Sequence, residues 1–117
     1  MTRVSGDLEF DHRMEWSEES LLVCLRGQIV YETLIPFESC CQAIRAEPRP
    51  TVVLDLSELM YIASAALGSL LGLRRWLEAR GSCLRISALS REAREVLRIT
   101  GLARVFSIDA EMPATAV

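Results

Sequence analysis

At 117 residues, half of them apolar and 25% charged, the chain has material for one packed core and enough charge for a soluble surface. A formal net charge of −3, with the basic residues scattered along the sequence, argues against a nucleic-acid partner, since phosphates reward clustered cations. No apolar run approaches the roughly 18–20 residues that cross a bilayer, and Met1 to Asp11 has no signal-peptide h-region, so the expectation is a single cytoplasmic domain over residues 1–117 with no direct membrane insertion.

In chain order, an extended stretch from Leu8 to Trp16, a polar turn at Ser17 to Ser20 and an apolar run from Leu21 to Leu25, closed by Arg26 and Gly27, predict a β-hairpin. From Leu34 to Ala46, Phe37, Cys40, Cys41 and Ile44 recur at helical spacing. Pro36 fits only in the first turn of that helix, and Pro48 and Pro50 require it to have ended. Thr51 to Leu56 is an almost unbroken β-branched and aliphatic run, the pattern of a central strand. A short loop should follow. Beyond it, Leu67, Leu70, Leu71 and Leu77 lie at helical spacing with Arg74, Arg75 and Glu78 on the other side, and Gly81 supplies a left-handed stop.

Cys83 to Leu89 reads as another strand. Ser90 is placed to cap a helix that carries Ala93, Val96 and Leu97 and ends at Gly101. Val105 to Ile108 reads as a last short strand, which sets the core at residues 8–108 and leaves 109–117 as a flexible tail with too few apolar residues to pack. Strands alternating with crossover helices after an opening hairpin imply an α/β fold: a mixed sheet, parallel in its later half, with α-helices packed mainly on one face. The other face is left open or used by a partner.

Candidate chemistry is sparse. Cys24, the adjacent Cys40 and Cys41, and Cys83 have neither the C-x-x-C spacing of a redox pair nor that of a zinc site, so they are expected as reduced, neutral core residues, with no metal and no other cofactor implied. His12 is the single histidine and has no Cys, Asp or Ser constellation around it. There is no Gly-rich phosphate loop and no nucleophile elbow, which leaves an enzymatic reading without support. Trp76 is expected to pack its helix, with a partner surface as the alternative.

The run Val52-Val-Leu-Asp-Leu-Ser57, the segment Tyr61-Ile-Ala-Ser-Ala-Ala-Leu-Gly68, Leu70-Leu71, Arg74-Arg75, Gly81, and Leu97-x-x-x-Gly101-Leu102-x-x-x-Phe106 together resemble the STAS domain. This is the family of sulphate-transporter and anti-sigma-factor antagonist domains, and the resemblance extends over nearly the whole chain. It implies the STAS fold and a regulatory protein that binds an anti-sigma factor with serine kinase activity. In partner-switching members that kinase inactivates the domain by phosphorylating a serine ahead of the second helix, and a serine phosphatase restores it. Here the matching position is Ser64, and the implied partner surface is Tyr61, Ile62, Ala63, Ser64, Ala65, Ala66 and Leu67.

The family loop usually reads Asp-Ser-Ser-Gly-Leu or Asp-Ser-Thr-Gly-Leu. This chain reads Ala63-Ser64-Ala65-Ala66-Leu67, keeping the serine and departing from the pattern on both sides of it. Two readings of Ser64 therefore stand side by side: a phosphorylation site, or a plain helix N-cap that accepts a backbone N–H. The alternative function is a constitutive, unphosphorylated STAS adaptor in a lipid-trafficking ABC transporter or a scaffold complex. Asp55, at a position that is commonly acidic in the family, is expected to fix the loop through backbone hydrogen bonds.

Overall fold

A computed structural model describes residues 9–108; Leu8 and the expected tail at 109–117 lie outside them. The strands are β1 (Phe10–Trp16), β2 (Ser20–Ile29), β3 (Thr51–Ile62), β4 (Cys83–Leu89) and β5 (Ser107–Ile108), and the helices are α1 (Leu34–Ala46), α2 (Ser64–Ala79) and α3 (Arg91–Thr100). They form one sheet in the order β1-β2-β3-β4-β5, with β3 at its centre. β1 and β2 are antiparallel, as a tight hairpin requires, and every later pairing is parallel, as helical crossovers require.

Burial alternates along the central strands. Leu21, Val23 and Leu25 of β2 and Val52, Leu54 and Leu56 of β3 are buried, while Leu22, Cys24, Val53 and Asp55 between them are only half-buried. The buried set merges with Phe37, Cys40, Cys41 and Ile44 of α1, Leu70, Leu73 and Leu77 of α2, and Ala93 and Leu97 of α3 into a single cluster. The helices thus cover one face of the sheet and leave the other open.

Two strands run further than the sequence pattern implies. β2 continues past Leu25 to Ile29 because Gly27, at φ +93°, lets it kink through a bulge while Gln28 N–H bonds the Glu9 carbonyl at 2.8 Å. A Cβ on Gly27 would lie 2.2 Å from that carbonyl oxygen. β3 extends through the expected loop to Ile62, and its pairing with β4 slips between Leu54 and Asp55. Asp55 holds this irregularity: its Oδ1 accepts the Ser57 N–H at 2.9 Å. Beyond the slip the buried positions become Leu59 and Ile62, out of step with Val52, Leu54 and Leu56.

Helix ends follow their local chemistry. Ser90 caps α3, its side chain accepting the Ala93 N–H at 3.0 Å, and Gly101 closes it at φ +79°. Between β2 and α1 the buried Thr33 hydroxyl accepts from Val30 N–H at 2.8 Å and donates to the Gln28 carbonyl at 2.8 Å, which fixes where α1 begins. The cysteines divide. Cys40 and Cys41 are core residues, with burial pushing their thiols up to about 12 and about 11. Cys24 and Cys83 correct the expectation of core packing. Both fall on the open face of the sheet, Cys24 half-buried with its thiol raised by burial and then by Asp55, and Cys83 exposed.

Candidate functional site

The parallel strands deliver their C-terminal ends to one edge of the domain. Ile29 pairs with Ile62 at the top of β2 and β3, and Ala63 N–H then donates to the Ile29 carbonyl at 2.8 Å, so the chain is still tied to the sheet one residue before α2. On the other side of β3, Ser90 joins α3 to the unpaired upper stretch: its N–H bonds the Leu56 carbonyl at 3.0 Å and its hydroxyl donates to the Leu59 carbonyl. Ser69 Oγ on α2 donates to the Glu38 carboxylate on α1. The start of α3 is thereby fixed to the end of the central strand, and α1 and α2 are tied to each other in their second turns.

Ser64 is the first residue of α2 and is exposed. The residue in the cap position is Ala63, at φ −77° and ψ 157°, and among the described residues no side chain caps the helix. This corrects the N-cap reading of Ser64. The β3 extension and the Ala63 to Ile29 bond set the extended-to-helical transition one residue earlier than the serine. With no side-chain acceptor present, the positive end of a 16-residue helix faces solvent beside the Ser64 hydroxyl.

Around Ser64 the expected partner residues separate by burial. Ile62, Ala66 and Leu67 are in the core, and Ala63 is half-buried against the sheet, so these residues shape the surface without presenting large side chains to it. Tyr61, Ser64 and Ala65 are exposed. Met60, 60% exposed, lies beside Tyr61, 48% exposed, in a shallow groove that α3 completes with Arg91, Glu92, Glu95 and Val96. At the same end of the sheet, Tyr31 and Ile35 stand at the entry to α1, 84% and 80% exposed. Large apolar side chains this exposed are costly in water and are concentrated here.

A family model for the STAS domain matches residues 11–114. The chain belongs to the STAS domain family. Among solved structures, the domain is similar to an anti-sigma factor antagonist from Mycobacterium paratuberculosis, with a TM-score of 0.79 at 23% identity over 97% of this chain and 98% of that one. It is also similar to the anti-sigma factor antagonist SpoIIAA in its unphosphorylated form, with a TM-score of 0.69 at 21% identity over 90% and 93% of the two chains. The phosphorylated form of SpoIIAA, a Bacillus cell fate determinant, gives a TM-score of 0.63 at 21% identity over 91% and 97%. No curated protein matches the sequence.

Within this STAS domain Asp55 does not join the Ser64 surface. It lies lower on β3, on the open face, where its carboxylate also accepts from Cys24 Sγ at 3.9 Å, so it orders a bulge inside a strand instead of a loop. His12 is exposed on the edge strand and stacks on Phe10 at 6.1 Å between ring centroids. Among the described residues no group of three or more His, Cys, Asp and Glu side chains converges to hold a metal. No helix among them is long and apolar enough to cross a membrane. Met60, Tyr31 and Ile35 are the surface residues the motif does not point to. Ile35 falls off the Phe37-Cys40-Cys41-Ile44 stripe, which is the signal that places it outside the core.

Proposed function

We propose that this STAS domain is a regulatory protein of the anti-sigma factor antagonist type, which acts in the cytoplasm by docking and not by catalysis. Its partner is an anti-sigma factor with serine kinase activity, bound through the surface of Tyr61, Ser64 and Ala65 together with Met60, Tyr31 and Ile35. Phosphorylation of Ser64 by that kinase ends binding, and a serine phosphatase restores it. The observation that carries this reading is the position of Ser64: an exposed hydroxyl on the first residue of an uncapped helix, next to exposed Met60 and Tyr61.

The physics of the switch follows from that position. A phosphate adds about −1.5 to −2 charges. On Ser64 it would sit at the positive end of α2, where anions are tolerated, so the domain stays folded in both states. In an interface, the same charge would have to be desolvated against apolar neighbours, and the complex is lost. Intact mass and peptide mapping of the Ser64 region, on protein from the native host across growth and stress conditions, test this. A phosphate of varying occupancy on Ser64 is the expected result. An unmodified serine under every condition refutes the switch and leaves the constitutive adaptor, and unchanged kinase binding by Ser64→Glu removes the loop from the interface.

A further inference from the structure

Strand β1 forms one edge of the sheet, and among the described residues no strand pairs with its outer side. It pairs with β2 without a register shift, from Phe10 opposite Gly27 to Trp16 opposite Leu21. The same register continues past both ends, through the bond from Gln28 N–H to the Glu9 carbonyl at 2.8 Å and that from Ser17 N–H to the Ser20 carbonyl at 2.9 Å. Bonded positions alternate in an antiparallel ladder. Asp11, Arg13 and Glu15 therefore turn their main-chain groups toward β2, while His12, Met14 and Trp16 turn theirs outward. The Asp11 carboxylate takes up the His12 N–H at 2.8 Å. Met14, in the middle of the outward set, makes no main-chain bond outside the ladder among the described residues. Such an edge is a template for another strand unless its side chains repel the newcomer.

The side chains decide which strand is accepted. Met14 packs against the core, so His12, Met14 and Trp16 share the helix-covered face, and the exposed Asp11, Arg13 and Glu15 share the open one. Arg13 Nε lies 3.7 Å from Glu15 Oε2 on that open face. In a two-fold antiparallel pairing of two β1 edges, opposed residues must share a face, so the axis must pass through a residue position. Centred on Arg13, the pairing sets Arg13 against itself and Asp11 against Glu15. Centred on His12, it joins Asp11 to Arg13 but sets Glu9 against Glu15; centred on Glu15, it opposes two glutamates. Only the register centred on Met14 puts each Arg13 opposite Glu15 of the other copy with no like charges opposed along β1. Those two residues then form a non-hydrogen-bonded pair, the closer kind, with Cα atoms about 4.5 Å apart. Together with the Arg13 to Glu15 pair inside each strand, the four side chains alternate in sign around a square.

We propose that β1 is a self-association edge, on which a second copy of this chain docks antiparallel in the register centred on Met14. Met14 exchanges main-chain bonds with its own counterpart, and His12 with Trp16, releasing the Asp11 carboxylate from the His12 N–H. The contact also covers the Trp16 ring, now 40% exposed. A standard interface buries about 1,200–2,000 Å²; pairing of His12 to Trp16 alone covers less, so the dimer is weak and concentration-dependent. Ser64 follows β3, with β2 between it and the edge, and stays accessible in the dimer.

Sedimentation velocity of the full chain, from low micromolar to near millimolar concentration, tests this. A reversible dimer that weakens as salt rises is expected. Arg13→Glu and Glu15→Arg should each raise its dissociation constant about tenfold or more by opposing like charges. An equimolar mixture of those two variants should recover dimers, because each then faces its opposite; the double change in one chain should recover them as well. Met14→Pro, which removes an outward N–H that β2 does not use, should abolish association; if that variant misfolds, the charge exchange still decides. Ser64→Glu should have no effect. A wild-type chain that stays monomeric throughout, a dimer indifferent to Arg13→Glu, or a mixture that fails to recover association overturns the proposal.

Discussion

Two helix starts in this domain have nearly the same backbone and opposite chemistry, which allows the contribution of a cap to be measured within one protein. Ser90 precedes α3 at φ −68° and ψ 166° and its side chain accepts from Ala93 N–H; Ala63 precedes α2 at φ −77° and ψ 157° and accepts nothing. Removing the first cap with Ser90→Ala loses about 1 kcal/mol for the cap and about 1 kcal/mol more for the hydroxyl bond to the Leu59 carbonyl. Supplying the second with Ala63→Asp gains about 1 kcal/mol and a further ~0.5 kcal/mol from the macrodipole. Urea titrations at pH 7, followed by far-UV circular dichroism, should show the two midpoints moving in opposite directions at constant m-value. For a domain of this size 1 kcal/mol corresponds to a Tm change of about 4 °C. A neutral Ser90→Ala, or an Ala63→Asp that lowers stability with m unchanged, would refute the claim that side-chain capping separates the two helix starts.

Glycine substitutions should divide in the same way. Gly27→Ala places a Cβ 2.2 Å from the Glu9 carbonyl oxygen at a positive φ and is expected to cost about 2–3 kcal/mol or more in the same urea assay. Gly72→Ala, in the middle of α2 with nothing within 4 Å of the new methyl, is expected to add about 0.5–1 kcal/mol. Alkaline pH should expose the buried thiols: Cys40 and Cys41 ionise near 9 in the unfolded chain but only near about 12 and about 11 when folded. Between those limits the folded state binds more protons than the unfolded one, so stability is full below pH 9 and falls above it, by about 1.4 kcal/mol per thiol per pH unit. The sequence contains no lysine to titrate over the same range. Urea midpoints at pH 8 and pH 10 measure the loss, and in Cys40→Ala it should be roughly halved, with each midpoint compared to that variant's own value at pH 8.

Much of the architecture was written in local chemistry. α1 spans Leu34–Ala46, with Pro36 in its first turn and Pro48 beyond its end, and α3 runs from the Ser90 cap to the Gly101 stop, both as the residue types require. The expectation of a loop after Leu56 shows where such reading stops. Ser57 and Glu58 look like loop residues, but the Asp55 carboxylate absorbs a backbone N–H and lets the strand continue with its alternation out of phase. A period-two pattern carries no signal across a bulge. The resemblance singled out the segment ahead of α2, and Ser64 is exposed there. Which of its neighbours are exposed depends on the angle at which α2 leaves β3, and that angle is set by the long-range bond from Ala63 to Ile29. Cys83 was misplaced for a related reason: residue type favoured the core, while its position in β4 turned it to the open face.

The alanine at position 63 bears directly on the switch proposed for Ser64. In the family pattern an aspartate stands there, and at a cap position its carboxylate would engage the first-turn N–H groups and oppose any negative charge on the next residue. In this chain those groups have no side-chain acceptor, so an anion on residue 64 would have the positive end of α2 to itself. The departure from the family pattern therefore leaves more room for a phosphate. Ser64→Glu should stabilise the domain by about 0.5 kcal/mol in the natural Ala63 background and by clearly less, or not at all, when combined with Ala63→Asp. The coupling from that double-mutant cycle is expected to be unfavourable. Strict additivity would mean that the two side chains do not share the helix N-terminus, and that the electrostatic account of the switch does not hold for this loop.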